Sequence, residues 1–341
     1  MSALKPSRQT AWRLGELAEL PDHVRRGHVA VGNFDGVHIG HRALVRRVSE
    51  RARMYGGKAV VVTFERYPWS DHAPNTIPAR LTSTKEKSRL LVEAGADEVV
   101  NLEFDRELAA LPPEAFIADI LVRRFEARSV VMSKNFYYAP DRSISPAQFV
   151  EMSANEGPTV DVMPPQTLSE NGQVVSSTAI RACLAHGNIA EANRLLGRRW
   201  MLDGVVVHGD KRGRELGFPT ANITLGNDIR ICFGIYAVRV LIGGRIANGV
   251  ASYGRRPQFD NGLPRLEIHL FDFQDDIYGQ NLSVEFVGYQ RPELTFADVA
   301  ALLRQMDADR TEARRILKCA LEEPGMESVF EHRSLLNADA D

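Results

Sequence analysis

Short apolar runs alternate with segments of three-to-four apolar spacing between residues 28 and 198, and this alternation restricts the possible folds strongly. The runs have the length of strands and read HVAVGN, KAVVVTF, ADEVVNL, ARSVVMS and PTVDVM. Strands that alternate with helices form a parallel sheet with helices on both faces. Ser83 followed by Glu86 forms a capping box ahead of an apolar helix face. The sequence therefore predicts an α/β domain over residues 1–197.

The pattern changes after residue 198 to closely spaced strand candidates broken by Gly, Asn and Asp. They read MLDGVVVHG, FGIYAVRVLIG, RIANGVASYG, LPRLEIHLFDF and NLSVEFVGY. Such runs form an antiparallel barrel or a sandwich. A terminal helix is predicted over Phe296–Leu321. We expect a domain boundary near Gly197 to Trp200, a second domain over residues 198–325 and a tail over 326–341.

Charge and cysteine content exclude several classes of protein. The 341 residues carry 42 basic and 44 acidic side chains, for a net charge of −2. Because neither sign forms a long block, a nucleic-acid footprint or a polybasic membrane patch is not expected. The three cysteines are far apart, which argues against disulfides and structural zinc. With no apolar leader or spanning run, we expect a cytoplasmic protein, as a monomer or weak homo-oligomer.

The stretch VGNFDGVHIGH leads from the first strand into a helix and carries His38 and His41. Glycines before a helix start gather backbone N–H groups and the positive end of the helix dipole, which suits a phosphate. Two imidazoles three residues apart lie on one helix face and can donate to phosphoryl oxygens. A single histidine beside a glycine is more often a capping or core residue, but the whole string favours phosphate binding.

A second helix start lies in VVSSTAIRACL, where Ser176 or Ser177 is the candidate N-cap. Thr178 falls within the first turn, and Arg181 can reach a phosphate as a planar bidentate donor. The serines alone indicate an ordinary cap. Together with the two histidines, Arg181 favours ATP as the ligand.

The stretch HGDKRGRELGFPTANI combines glycines, basic residues and a proline at residues 208–223. Its glycines allow the backbone to bend around phosphates. Pro219 precedes Thr220 and Asn222, whose side chains point to one side of an extended segment. Two neutral oxygens suit Mg²⁺ when phosphates supply the negative charge. The basic residues alone would equally fit a solvated hairpin loop.

The strand LPRLEIHLFDF places Glu267 between Leu266 and Ile268. A partly desolvated carboxylate gains basicity and can accept a proton from a hydroxyl. Glu267 is therefore the candidate general base, and a surface glutamate on an edge strand is the alternative.

These motifs resemble a known family. GNFDGVHIGH is similar to the HxGH signature of nucleotidylyltransferases in the form found in bacterial bifunctional riboflavin kinase/FAD synthetases. VVSSTAIRACL resembles the I-S-S-T-x-I-R segment of that family, and GFPTAN resembles the riboflavin kinase signature. The resemblance covers about His28 to Leu317. It implies a Rossmann-like first domain that transfers AMP from ATP to FMN and a barrel domain that phosphorylates riboflavin, both with Mg²⁺.

The resemblance also implies roles for individual residues. His38, His41, Arg181 and Glu267 would be catalytic, and Thr220 and Asn222 would hold the metal. The implied ATP-binding residues are Gly32, Asn33, Phe34, Asp35, Gly36, Ser177, Thr178, Gly209, Lys211, Gly213, Gly217 and Pro219. The implied flavin-binding residues are Asn135, Phe136 and Arg291.

Two segments depart from the family pattern. TFERYP at residues 63–68 carries Arg66 and Tyr67 in place of a proline and a histidine. SKNFYYAPDRSI at residues 133–144 lacks the three glycines of the family loop. These departures leave two alternatives to the bifunctional enzyme. One is a riboflavin kinase with a degenerate or re-specified first domain, and the other is a flavin- or nucleotide-binding regulator without turnover.

Overall fold

The computed structural model describes residues 12–65, 78–103, 105–136, 145–154, 157–168, 172–209, 217–225, 228–255, 264–322, 328 and 330. The chain divides into two compact units. The first contains Met1–Pro78 and Thr82–Ser176, and the second contains Ala79–Leu81 and Ser177–Asp341.

A five-stranded parallel sheet forms the centre of the first unit, and its strand order is β3-β2-β1-β4-β5. All five predicted strands are confirmed. They are β1 His28–Val31, β2 Ala59–Phe64, β3 Glu98–Leu102, β4 Ser129–Ser133 and β5 Thr159–Met163.

Helices cover both faces of this sheet, as the alternation in the sequence predicts. The helical segments are a 3-10 helix Gly15–Glu19, α1 Ile39–Tyr55, α2 Thr84–Glu93, α3 Arg106–Ala109, α4 Pro113–Ala115, a π-helix Phe116–Arg124 and α5 Pro146–Ser153. Val29 and Val31 pack with the π-helix and α5. Ala30, between them, packs with α1 and α2 on the other face. Successive strand residues point to opposite faces, so both cores form around one strand.

The strand order reverses at β1, which is hydrogen-bonded to β2 on one side and to β4 on the other. In open α/β sheets, ligands bind beyond the carboxyl ends of the strands at such a reversal. The segment that follows β1 is GNFDGVH, so the topology places the first candidate motif at this point.

The second unit is built around a closed six-stranded barrel in the order β10-β7-β6-β11-β8-β9. The strands are β6 Trp200–Val207, β7 Ala221–Thr224, β8 Gly234–Ile242, β9 Arg245–Arg255, β10 Pro264–Leu270 and β11 Asn281–Arg291. Of the barrel and the sandwich left open by the strand pattern, the chain forms the barrel. The predicted terminal helix is present as α8, Val299–Glu322.

Two further helices, α6 Ser177–Ala185 and α7 Ile189–Leu196, belong to the second unit. The amide of Asn193 on α7 donates to the Phe286 carbonyl on β11 and accepts from the Trp200 N–H. These contacts join α7 to the barrel. The second unit therefore resumes at Ser177, which lies before the boundary expected near Gly197 to Trp200. That boundary stays a prediction about the functional domains.

Residues of the expected tail are part of the second unit's core. Phe330 is fully buried and packs with Met201 and Leu241. The Ser328 hydroxyl donates to the fully buried carboxylate of Glu285, at 3.0 Å. None of the helices in the described ranges combines the length and the apolar character needed to cross a bilayer.

Candidate active sites

The loop between β1 and α1 adopts a backbone that few sequences permit. Phe34, Gly36 and Val37 all have positive φ, at 51°, 84° and 41°. Gly32 faces the Phe34 ring, since a Cβ there would lie 3.0 Å from it. The Asp35 carboxylate accepts from the Thr82 N–H at 3.1 Å. The loop is thus held in a turned conformation directly before a helix N-terminus.

His38 and His41 lie together at the start of α1. His38 is the N-cap, and its Nδ1 accepts from the His41 N–H at 3.2 Å. The two rings stack with centroids 3.5 Å apart, and His41 also contacts the edge of the Phe34 ring. Gly40 leaves room for this stack, because a Cβ there would lie 3.1 Å from the His38 ring. The structure therefore brings together the two imidazoles and the turned loop.

Thr82 and Lys87 hold this loop in place from the side of α2, and the sequence did not predict either residue as part of the site. The Thr82 hydroxyl donates to Asp35 at 3.2 Å and accepts from the Gly36 N–H at 3.1 Å. The buried ammonium of Lys87 donates to the carbonyls of Phe64 at 2.6 Å and Asn33 at 3.2 Å. The sequence contains one indication that Lys87 is buried, because its helical spacing places it on the apolar face of α2 with Leu90 and Leu91.

The stretch VVSSTAIRACL crosses the division between the units, and its residues from Ser177 onward form α6 of the second unit. The helix begins at Ser177, so Thr178 occupies its first turn as predicted. The Arg181 guanidinium donates from Nε to the Ala79 carbonyl at 2.6 Å. The predicted contacts of Ser177, Thr178 and Arg181 with ATP stay predictions.

The flavin-side segments of the first unit are described only in part. Phe136 packs against the core cluster that contains Val29 and Val31. The Asn135 N–H donates to the Ser133 hydroxyl at 3.2 Å. Arg66, Tyr67 and residues 137–144 lie outside the described residues.

In the barrel, strand pairing places the metal candidate opposite the base candidate. Asn222 on β7 is the direct partner of Glu267 on β10 in an antiparallel ladder. On β10, Leu266 and Ile268 are fully buried, whereas Glu267 lies on the opposite, partly exposed face. Directly opposite residues share a face of the sheet. The candidate base and the candidate metal ligand are therefore neighbours on the same face.

Glycines and a proline shape the segment before β7. A Cβ on Gly209 would lie 2.3–2.8 Å from the atoms of the Asn222 amide, so the amide occupies the space that a side chain at residue 209 would need. Gly217 has φ +82°, which glycine adopts readily. The Pro219 carbonyl accepts from His269 Nδ1 at 3.0 Å, which anchors the residue before Thr220. Lys211 and Gly213 lie outside the described residues.

A second carboxylate, Glu293, lies beside this face and was not predicted. A Cβ on Gly254 of β9 would lie 2.0 Å from Glu293 Oε1, so the carboxylate sits directly over that glycine. Gly254 pairs with Arg265, two residues before Glu267 on β10. Burial, and then the negative charge of Glu267, raise the pKa of Glu293, while Arg291 opposes the shift. The candidate base therefore has a like-charged neighbour.

Arg291, the predicted flavin contact, forms an ion pair within the second unit. Its Nε donates to Asp309 Oδ1 on α8 at 2.7 Å, and Nη2 donates to Oδ2 at 2.5 Å. Its Nη1 donates to the Pro292 carbonyl at 2.8 Å. This bidentate pair fixes the guanidinium plane at the end of β11. Contact with a flavin stays a prediction.

Comparisons with known proteins match both units. A family model described as FAD synthetase matches residues 21–179, and one described as riboflavin kinase matches residues 196–317. The bifunctional riboflavin kinase/FMN adenylyltransferase of Escherichia coli K12 is 38% identical over 84% of this chain and 91% of its own length. The Pseudomonas fluorescens protein of the same name is 38% identical over 87% of this chain and 94% of its own length.

A solved structure gives the same result for the fold. It is described as a macrolide-efflux protein from Streptococcus pneumoniae, is 29% identical, and has a TM-score of 0.79. The match covers 90% of this chain and 99% of that one. Because the curated relatives match over most of both lengths, the chain belongs to the bifunctional riboflavin kinase/FMN adenylyltransferase family.

Proposed function

We propose that the second unit phosphorylates riboflavin with ATP to give FMN and ADP, and that the first unit transfers AMP from a second ATP to FMN. The products of the second step are FAD and pyrophosphate. The pairing of Glu267 with Asn222 carries the kinase assignment, because it joins a base to a polar oxygen ligand on one face. The paired histidines at the sheet reversal support the adenylyltransferase assignment.

In the kinase, Glu267 accepts the proton of the ribityl 5′-hydroxyl as that oxygen attacks the terminal phosphorus of ATP. A carboxylate with a nearby negative charge holds a proton more readily than an isolated one, which suits a general base. Glu293 provides such a charge. Because Gly209 has no Cβ, no side chain at that position displaces the Asn222 amide.

The donor set beside Glu267 fits Mg²⁺. Thr220 and Asn222 offer a hydroxyl and an amide oxygen, and the Gly209 backbone packs closely against the amide. Magnesium prefers oxygen ligands and is commonly shared between a protein and substrate phosphates. When bound, the ion supplies positive charge to the phosphates.

In the adenylyltransferase, His38 and His41 stabilise the charge that develops on the α-phosphate as the FMN phosphate attacks it. Because His38 Nδ1 accepts from the His41 N–H, its Nε2 carries the proton and can donate to a phosphoryl oxygen. Backbone N–H groups at the start of α1 add further positive potential. This chemistry depends on positioning and charge stabilisation.

We further propose that the protein acts in the cytoplasm, as a monomer or weak homo-oligomer, on small-molecule substrates alone. Neither the barrel site nor the histidine pair, as described, favours a kinase that lacks adenylylation or a regulator without turnover. Incubation with riboflavin, ATP and Mg²⁺, followed by chromatography of the products, tests the proposal. FMN should appear first and then convert to FAD. Accumulation of FMN alone would exclude the adenylyltransferase half, and unchanged riboflavin would exclude the kinase half.

A further inference from the structure

Lys87 is a buried cation at the edge of the sheet where the first candidate site lies. The residue is 4% exposed, and lysine is almost never buried to this degree unless its ammonium has partners. Its ammonium donates to the Asn33 carbonyl just past β1 and to the Phe64 carbonyl at the end of β2. Carbonyl oxygens carry partial negative charge, and these two belong to residues at the carboxyl ends of β1 and β2, the sheet edge at which ligands bind in open α/β sheets. Lys87 compensates this charge.

The Asn33 carbonyl has a second donor, the hydroxyl of the fully buried Thr63, at 2.9 Å. Two donors on one oxygen fix the plane of the Asn33–Phe34 peptide. In a planar trans peptide the N–H points away from the C=O. The Phe34 N–H is therefore directed away from Lys87 and Thr63, and no described residue accepts a hydrogen bond from it.

The helix that carries Lys87 is itself tied to the same loop. Ser83 caps α2 by accepting from the Glu86 N–H at 3.2 Å, and the Lys87 N–H donates to the Ser83 carbonyl at 2.8 Å. Thr82, just before the cap, bonds to both Asp35 and Gly36. The loop is thus held at two points by one short segment, so a change at Lys87 acts on the loop rather than on a remote surface.

We propose that Lys87 is a positioning residue of the adenylyltransferase, which holds the Asn33 and Phe64 carbonyls away from the nucleotide and thereby presents the Phe34 N–H to the polyphosphate of ATP. This inference rests on the proposed adenylyl transfer. The effect is specific for the polyphosphate, because the Asn33 carbonyl and the Phe34 N–H belong to the loop that precedes the histidine pair. Binding of FMN does not depend on it.

The test compares Lys87→Met, which keeps the aliphatic chain, with Lys87→Arg, which restores the charge, and with Thr63→Val, which removes the second donor. Lys85→Met is the matched control, since Lys85 is exposed on the same helix. The measurements are KM for ATP and for FMN in FAD synthesis, inhibition by inorganic pyrophosphate, and riboflavin phosphorylation by the same preparation. The kinase reaction shows that each variant is folded in its second unit.

For Lys87→Met we expect kcat/KM for ATP in FAD synthesis to fall about tenfold, less than the ~10²–10³-fold for loss of a direct transition-state donor, because Lys87 acts through the Asn33–Phe34 peptide. Inhibition by pyrophosphate should weaken in parallel, with KM for FMN and kinase activity unchanged. Lys87→Arg should recover part of the loss, and Thr63→Val should show a smaller loss of the same kind. Equal effects on ATP and FMN, or none on ATP, would overturn the inference. Absence of FAD synthesis by the unmodified protein would instead overturn the proposed function.

Discussion

Glu267 lies directly across the β7–β10 ladder from Asn222, so the proposed base and the proposed metal ligand are fixed relative to each other by backbone hydrogen bonds. Directly opposite residues in an antiparallel pair have Cβ atoms about 4.5–5.5 Å apart. Neither side chain depends on a flexible loop for its position. The phosphates and the attacking hydroxyl can therefore be aligned by two strands of one barrel.

Replacement of Asn222 by alanine should remove riboflavin phosphorylation while the adenylylation of added FMN continues. The amide oxygen is lost without a change in the strand backbone, so we expect kcat to fall about 100-fold or more. Product analysis with riboflavin and, separately, with FMN measures the two steps. Asn248→Ala is the control, because Asn248 is an exposed amide on β9. Normal kinase activity of Asn222→Ala would show that the metal assignment is wrong.

Replacement of His41 by alanine should have the opposite effect, with loss of FAD synthesis and retention of FMN synthesis. The imidazole contributes a donor to the reacting phosphate, and its loss should reduce kcat by about 10²–10³. The measurement is the rate of FAD formation from FMN and ATP. His23→Ala, at an exposed position of the same unit, serves as the control. FAD formation at the normal rate would remove His41 from the mechanism.

Alanine at Gly209 should impair the kinase without unfolding the barrel. The added methyl would lie 2.3–2.8 Å from the Asn222 amide, so that side chain must move from its position beside Glu267. We expect kcat/KM for ATP to fall about tenfold or more, with an unchanged melting temperature. Gly15→Ala, where a Cβ would meet nothing within 4 Å, is the control. An unaffected kinase would mean that the Asn222 position is not critical.

The neighbouring carboxylates predict a change in pH dependence. The charge of Glu267 contributes to the raised pKa of Glu293, and the repulsion is mutual. Arg265 on β10 and Arg291 at the end of β11 also lie near this pair. In Glu293→Gln the repulsion is absent, so the base should stay ionised to lower pH.

The acid limb of the kinase profile, measured as kcat/KM for riboflavin, should therefore move to lower pH in Glu293→Gln. Glu312→Gln, which removes an exposed carboxylate of α8 that is paired with Arg315, should leave the profile in place. A shift to higher pH, or none, would contradict the coupling of the two carboxylates.

The stability of the first unit should decrease in acid because of His28. Burial is the main reason that the pKa of His28 is lowered from its ordinary 6.5. Its ring nitrogens contact Ser129 Oγ at 2.7 Å and the Gly56 carbonyl at 3.2 Å. Since the unfolded chain then binds a proton more readily than the folded one, this contribution is complete above pH 6.5. It is lost as the pH falls from there towards the folded pKa.

Hydrogen exchange of the β1 amides at pH values on either side of 6.5, corrected for intrinsic rates, measures this effect. We expect His28→Gln to be less stable than the unmodified protein at neutral pH, and to lose less stability on acidification. His23→Gln should retain the full pH dependence. An equal loss in His28→Gln would assign the effect to other groups.

The strands of both units could be predicted because each buried strand required an apolar run. For β7 the sequence predicts only an extended segment, since the four residues Ala221–Thr224 are too few and too polar to show an apolar period. The sequence does not predict the contact by which the Asn193 amide of α7 joins two backbone groups of the barrel strands.

The candidate sites were predictable where several functional residues lie close together in the sequence. His38 with His41 and Thr220 with Asn222 are of this kind. Thr82, Lys87 and Glu293 contact site residues that are distant from them in the sequence. Taken alone, each has the sequence context of an ordinary polar surface residue. A lysine on the apolar face of α2 was the one local signal.

Closure of the barrel limits how the kinase can change during evolution. Each strand is bonded on both sides, so β7 cannot slide along β10 without disturbing its bonds to β6. A single inserted or deleted residue in β7 or β10 would turn Asn222 or Glu267 to the opposite face, because the side-chain period is two. Substitutions can accumulate in these strands, but changes of length should be confined to the connections, such as residues 271–280 between β10 and β11.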